Sequence, residues 1–194
     1  VRAGPRLGWA AFGALLALGA LAGWLAPREM LDWQPQKAWT EPWRWWSAAF
    51  VHWSGLHLGA NLLGCAVVGW FGWAAQAPSR LVWAWFAAWP LTHLALLAQP
   101  ALAHYGGLSG VLHAGVAACA LALAWRGQGR QRWVGAAVLA GLLLKVLLEA
   151  PWQGPLRRAP GWDIALAPLA HAAGVACGLL CAAFACRSNR TRRR

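Results

Sequence analysis

Acidic side chains are scarce: Glu29, Asp32, Glu41, Glu149 and Asp163 are the only five in 194 residues. No polar stretch is long enough for a second, soluble domain, so a multidomain soluble enzyme is excluded. No CxxC pair occurs, and Cys65, Cys119, Cys177, Cys181 and Cys186 all fall in apolar runs. They read as small packing residues, not as a disulfide framework or a zinc site. Internal repeats and low-complexity linkers are also lacking. Methionine and tyrosine occur once each, against 17 tryptophans, and 60% of the residues are hydrophobic.

What is present is apolar length. Spanning a bilayer takes about 20 residues, and six runs meet that need: 8–26, 57–75, 81–99, 107–125, 133–149 and 164–186. The expected fold is an all-α integral membrane protein, one six-helix bundle over 1–194, because helices satisfy their own backbone in lipid. The first run follows a basic start, yet it is longer than the usual apolar core of a signal peptide, roughly 7–15 residues. It is read as a helix.

The net charge of +12 raises nucleic acid as a partner, but its distribution argues against that. With the N-terminus inside, Arg2, Arg6, Arg80, Arg126, Arg130, Arg132, Arg187, Arg190, Arg192, Arg193 and Arg194 fall on the inner side. Arg28, Lys37, Arg44, Arg157 and Arg158 fall outside, and Lys145 lies within a run. That asymmetry follows the positive-inside rule with both termini cytoplasmic. The tail "RSNRTRRR" then suits anionic lipid. Segment 27–56, with six tryptophans and Pro27, Pro35 and Pro42, is expected in the outer headgroup region, as an anchor or as a scaffold beside a site.

Glycine marks three runs. Gly59, Gly64, Gly69 and Gly72 lie on the second, Gly106, Gly107 and Gly110 open the fourth, and Gly174 and Gly178 form a GxxxG pair on the sixth. Small residues let membrane helices approach closely, so runs two, four and six are expected to touch. The same three runs carry polar groups that lipid penalises: His57 and Asn61, Ser109, and His171. All three run from outside to inside, so these groups share one layer to within roughly 8–10 Å. His57 and Asn61, four apart, share a helix face. His171, Gly174 and Gly178 share a stripe.

A serine at a helix start is either an N-cap or a nucleophile. For the second role, His171 is the available base, and the Ser109 N–H with the Asn61 and His57 side chains are oxyanion donors. No carboxylate is expected to orient the histidine. Asp163 lies eight residues before it, about 12 Å along a helix, and Glu149 closes the fifth run. The expectation is a dyad. Lys145 and Glu149 read as a local i, i+4 pair with the lysine snorkelling outward. His93 and His104 read as hydrogen-bonding or water-lining residues. A rival reading takes the six histidines as metal or haem ligands in a non-enzymatic protein; the catalytic reading needs no cofactor and no metal.

The pattern resembles the rhomboid intramembrane serine proteases over about 43–178. Gly107-Leu108-Ser109-Gly110 matches the family's GxSG serine on the fourth helix, and "AHAAGVACG" matches the sixth-helix histidine before small residues. "HLGAN" matches the His-x-x-x-Asn oxyanion pair, with His52 as the upstream histidine and Trp43-Arg44 as the first-loop pair. The resemblance implies that Ser109 and His171 are catalytic and that a substrate helix enters near runs two and five. One departure stands out. Where many rhomboids carry a tyrosine that stacks on the catalytic histidine, this chain has His113, which either stacks or competes as a base.

"GLSGVLH", the short chain and the lack of an extra domain are most similar to the rhombosortase branch. That implies single-span substrates with their N-terminus outside and a GlyGly-CTERM tag, cut at the periplasmic face of a bacterial inner membrane. An inactive rhomboid-like chaperone is the alternative that the presence of both Ser109 and His171 disfavours.

Overall fold

A computed structural model describes residues 5–191. Arg2 and Arg192–Arg194, which carry part of the expected charge asymmetry, lie outside the described residues. Eight α-helices follow in order: α1 (Pro5–Trp24), α2 (Arg28–Leu31), α3 (Arg44–Ser47), α4 (Gly55–Ala74), α5 (Ser79–Leu94), α6 (Ser109–Arg126), α7 (Arg130–Leu148) and α8 (Pro168–Thr191). Six stretches are long and apolar enough to cross a membrane: Leu7–Trp24, Gly55–Ala74, Ser79–Ala98, Ser109–Arg126, Arg130–Leu148 and Pro168–Arg187. The chain is a multi-pass, all-helical membrane protein, with no β-strand among the described residues beyond two isolated bridges. The expected spans are met to within four residues. The last starts at Pro168 instead of 164 because Asp163–Ala167 are not helical, which brings His171 to the first turn of α8.

α6 is the hub. It packs most extensively on α8, then on α7, α5 and α4, and 56% of its span is buried against 11% for α7. Glycines make the α6–α8 contact possible. A Cβ at Gly174 would lie 2.0 Å from the Gly110 carbonyl oxygen, and one at Gly178 2.3 Å from that of Ala114. Helices this close gain dispersion contacts along the whole seam. The expected contact of runs four and six is present, and Gly64 meets Leu112 across α4 and α6.

The other glycines of α4 serve a different neighbour. Gly69 lies against Gly13 of α1, and Gly72 makes room for the Trp9 indole, whose Nε1–H donates to the Val68 carbonyl at 2.8 Å. Composition reveals that a helix is approached closely but not by which partner. Large apolar side chains such as Leu18, Leu63, Trp83, Leu144 and Phe184 face outward, as lipid contact requires.

Between α1 and α4 the tryptophan-rich segment is an ordered scaffold. Arg44 is buried, and its Nη1–H donates to the Asp32 carbonyl (2.6 Å) and to Asp32 Oδ1 (3.0 Å). Its Nε–H donates to Glu41 Oε2 (2.6 Å), a contact that with the neighbouring charges keeps the Glu41 carboxyl below its ordinary range. Trp43 stays half-exposed, and its indole donates to the Met30 carbonyl. This scaffold fastens the stretch leading into α6. Trp33 and Tyr105 exchange backbone hydrogen bonds of 2.8 and 3.0 Å, the Gly107 N–H donates to Ala48 O (3.0 Å), and His104 Nδ1 lies 2.6 Å from Asp32 Oδ2.

Candidate active site

Ser109 does not occupy the cap position at the start of α6. The N-cap position belongs to Leu108, which makes no side-chain cap, and Ser109 is the first helical residue. Its hydroxyl therefore has no backbone partner to satisfy, and lies 2.9 Å from His171 Nε2 on α8. At α4 the corresponding capping role is filled by Ser54, whose Oγ accepts from the His57 N–H at 3.1 Å.

Tyr105, Gly106 and Gly107 shape the approach. Gly107 has φ +133, a conformation that costs glycine little, and a Cβ there would stand 2.7 Å from His57 Nε2. The Tyr105 hydroxyl donates to the Gly107 carbonyl (3.1 Å), and burial pushes that phenol up to about 12. His57 Nδ1 accepts from the Trp53 N–H at 3.4 Å. This assigns the other proton to Nε2, which points at Gly107 as a donor. Asn61, one turn on, is buried, and its Nδ2–H₂ has no acceptor within the protein. A buried amide donor costs free energy unless something accepts from it. The His52 ring lies 4.8 Å from that of His57, and burial pushes His52 down to about 4 despite its contact with Phe50 O.

These groups line a cavity of about 390 Å³. Lining it are His57, Asn61 and Gly64 of α4, Ser109, Leu112 and His113 of α6, Leu142 and Lys145 of α7, and Trp162 and Leu166 of the segment before α8. The predicted residues Ser109, His171, His57 and Asn61 are thus brought together. Gly110 and Gly174 lie at the seam that sets the Ser109–His171 separation. His52, Trp43 and Arg44 do not line the cavity. His93 and His104 take the hydrogen-bonding roles expected of them, at Trp45 O (2.6 Å) and Asp32. Among the described residues no three His, Cys, Asp or Glu side chains converge as a metal site needs.

One alternative left open is resolved, and the reading of the α7 end is corrected. His113 stacks on His171, with ring centroids 4.3 Å apart and planes 10° off parallel. Both its nitrogens are engaged, Nδ1 with Ser109 O (2.6 Å) and Nε2 with Lys145 Nζ (2.7 Å), so it has no free nitrogen to act as a competing base. The second concerns the carboxylate. Glu149 Oε2 lies 2.7 Å from His171 Nδ1, so the histidine is not left without an acidic partner. Lys145 and Glu149 do pair, at 2.8 Å, but the lysine turns inward to the site instead of snorkelling away. Chain distance hid this, because the C-terminal end of α7 meets the first turn of α8 only in three dimensions. The signal available was that Glu149 is one of five acids, placed at the same end of the bundle as Ser109.

A hydroxyl bonded to an imidazole, beside buried amide and imidazole donors, is equipped for acyl transfer. The rhomboid domain family matches residues 40–188. No curated protein matches the chain. The matched region holds every group around the cavity, and the chain belongs to the rhomboid family, whose members are intramembrane serine proteases acting on transmembrane substrates.

Proposed function

We propose that this chain is an active endopeptidase in which Ser109 is the nucleophile and His171 its base. The observation that carries the reading is the 2.9 Å Ser109 Oγ–His171 Nε2 contact in a cavity also lined by Asn61 with its unpartnered amide. As Ser109 Oγ bonds to the scissile carbonyl carbon, its proton passes to His171 Nε2. The carbonyl oxygen gains charge and receives hydrogen bonds from the Ser109 N–H, Asn61 Nδ2 and His57 Nε2. Collapse breaks the C–N bond, and His171 returns the proton to the departing amine. Water then attacks the acyl-enzyme with His171 again as base.

The substrate is a single-span protein that enters between α4 and α7, residues of which both line the cavity. A peptide bond inside a helix is shielded, so a Gly-Gly sequence that unwinds readily suits the site. The "GLSGVLH" stretch supports a GlyGly-CTERM tag as that sequence, as in the rhombosortase branch. The charge asymmetry supports cytoplasmic termini and a site facing the periplasm of a bacterial inner membrane.

The test is labelling by a fluorophosphonate probe. Wild type is expected to label and Ser109→Ala and His171→Ala are not; equal labelling of all three overturns the mechanism. For the tag, co-expression with a GlyGly-CTERM protein is expected to give a Ser109-dependent product, and an uncut tag refutes that substrate class.

A further inference from the structure

Five hydrogen bonds form a closed ring that starts and ends at Ser109. The Ser109 hydroxyl faces His171 Nε2 (2.9 Å), and His171 Nδ1 faces Glu149 Oε2 (2.7 Å). Glu149 Oε1 faces Lys145 Nζ (2.8 Å), which faces His113 Nε2 (2.7 Å), and His113 Nδ1 faces the Ser109 carbonyl (2.6 Å). One proton assignment satisfies every link. The carbonyl of Ser109 only accepts, so His113 carries its proton on Nδ1 and accepts at Nε2 from the Lys145 ammonium. That ammonium also donates to Glu149 Oε1. Glu149 Oε2 accepts from His171 Nδ1–H, which leaves His171 Nε2 free to accept from the serine.

The last step is the one chemistry needs. His171 has two rival partners at Nδ1, because Lys145 Nζ stands 3.1 Å away beside the carboxylate. A lysine donating to Nδ1 would put the proton on Nε2 and disable the base. The carboxylate selects the opposite tautomer, and at 2.7 Å it is the nearer group. Were Nδ1 bare, two acceptors would face each other at that distance. His113, stacked flat on His171, prevents the ring from tilting away.

We infer that Glu149 is a positioning residue that makes a Ser109–His171–Glu149 triad, with Lys145 and His113 clamping it. The inference rests on the proposed roles of Ser109 and His171. It separates the paired lysine into two tasks. Lys145 holds the carboxylate toward His171 and donates to His113, and Nδ1, already carrying the proton that it gives to Glu149, has no lone pair to accept from the remaining lysine N–H.

The experiment measures fluorophosphonate inactivation of the purified full chain, resolved into a maximal rate and a half-saturating concentration. Wild type is compared with Glu149→Gln, Glu149→Asp, Lys145→Met and Ser109→Ala, with the melting temperature of each. Glu149→Gln is expected to lower the maximal rate by about 10²–10⁴, the scale seen when a triad carboxylate becomes an amide. Half-saturation should stay within about twofold, because probe binding is not the affected step. Glu149→Asp, which keeps the charge on a shorter stem, is expected to recover at least about tenfold of that loss. Lys145→Met should cost about tenfold.

A Glu149→Gln protein that melts like wild type and labels within threefold of it overturns the inference while leaving Ser109 and His171 in place. Labelling of Ser109→Ala overturns the underlying reading instead. Where Glu149→Gln does not fold, Lys145→Met decides, and unchanged labelling refutes the clamp.

Discussion

Replacing Gly174 by alanine tests whether the α6–α8 seam sets the catalytic distance. The added Cβ would sit 2.0 Å from the Gly110 carbonyl oxygen, 2.8 Å from its carbon and 3.2 Å from its Cα. All three are backbone atoms of one helix, so no side chain can rotate out of the way. Ordinary contact begins at 3.4 Å, so α8 must withdraw by about 1.4 Å or both helices must bend. Gly110 adjoins Ser109, and Gly174 lies one turn from His171, so most of that withdrawal reaches the contact between the two side chains. The Ser109–His171 contact of 2.9 Å would open toward about 4 Å, beyond hydrogen-bond reach. A misplacement near 1 Å costs about 10² in rate, and the overpacking costs about 1–3 kcal/mol of stability. The assay is the maximal rate of fluorophosphonate labelling beside the melting temperature, with Gly141→Ala as control, since a Cβ there meets nothing within 4 Å. Gly178→Ala, clashing with Ala114 O at 2.3 Å one turn deeper, should lose as much stability and less rate. A Gly174→Ala protein with unchanged rate and melting temperature refutes the claim that this seam fixes the geometry.

Other outcomes follow from the same structure. Asn61→Ala should lower the labelling rate by about 10²–10³ with little change in melting temperature, because its amide has no partner in the resting fold to lose; an unchanged rate removes it from the oxyanion hole. Gly107→Ala combines a strained φ of +133 with a clash against His57 Nε2, and labelling that survives within threefold contradicts that crowding. Asp32→Ala removes one of the two carboxylates on the buried Arg44 guanidinium and leaves Glu41 as the other; it should cost about 1–3 kcal/mol, read as a fall in melting temperature that a surface site such as Arg158→Ala does not share. His52 is pushed from 6.5 to about 4 by burial, partly offset by Phe50 O and reinforced by Arg28. Below pH 6.5 the unfolded chain therefore binds one more proton than the folded chain. Stability from this group is complete above pH 6.5 and declines as pH falls toward 4, by about 3 kcal/mol in all. His52→Gln should flatten that part of the pH–stability curve, and an unaltered slope contradicts the assignment.

Much of the site was legible because lipid makes polar residues conspicuous. Ser109, His171, His57 and Asn61 stood out against apolar runs, and their shared depth followed from counting turns. The helices were legible for the same reason, since apolar length and glycine are strong signals. What could not be read were pairings between segments remote in the chain. Glu149 had a sufficient local explanation in Lys145, so nothing pointed onward to His171. Arg44 looked like a loop charge, whereas its burial against Asp32 depends on the fold of 28–47. The glycines of α4 announced close packing but could not name Trp9 and Gly13 as the recipients.

The placement of Glu149 has a mechanical consequence. His57, Asn61, Ser109, His113 and His171 are carried by α4, α6 or α8. Glu149 and Lys145 ride on the end of the one span that is 11% buried. That span also lines the cavity, on the side proposed for substrate entry. On that proposed route, a lateral displacement of α7 that widened the entrance would draw the carboxylate off His171, so an open enzyme would also be a disarmed one. Hydrolysis would begin only after the helix has swung back behind its substrate, which makes the bilayer that presses on α7 part of the timing of each turnover.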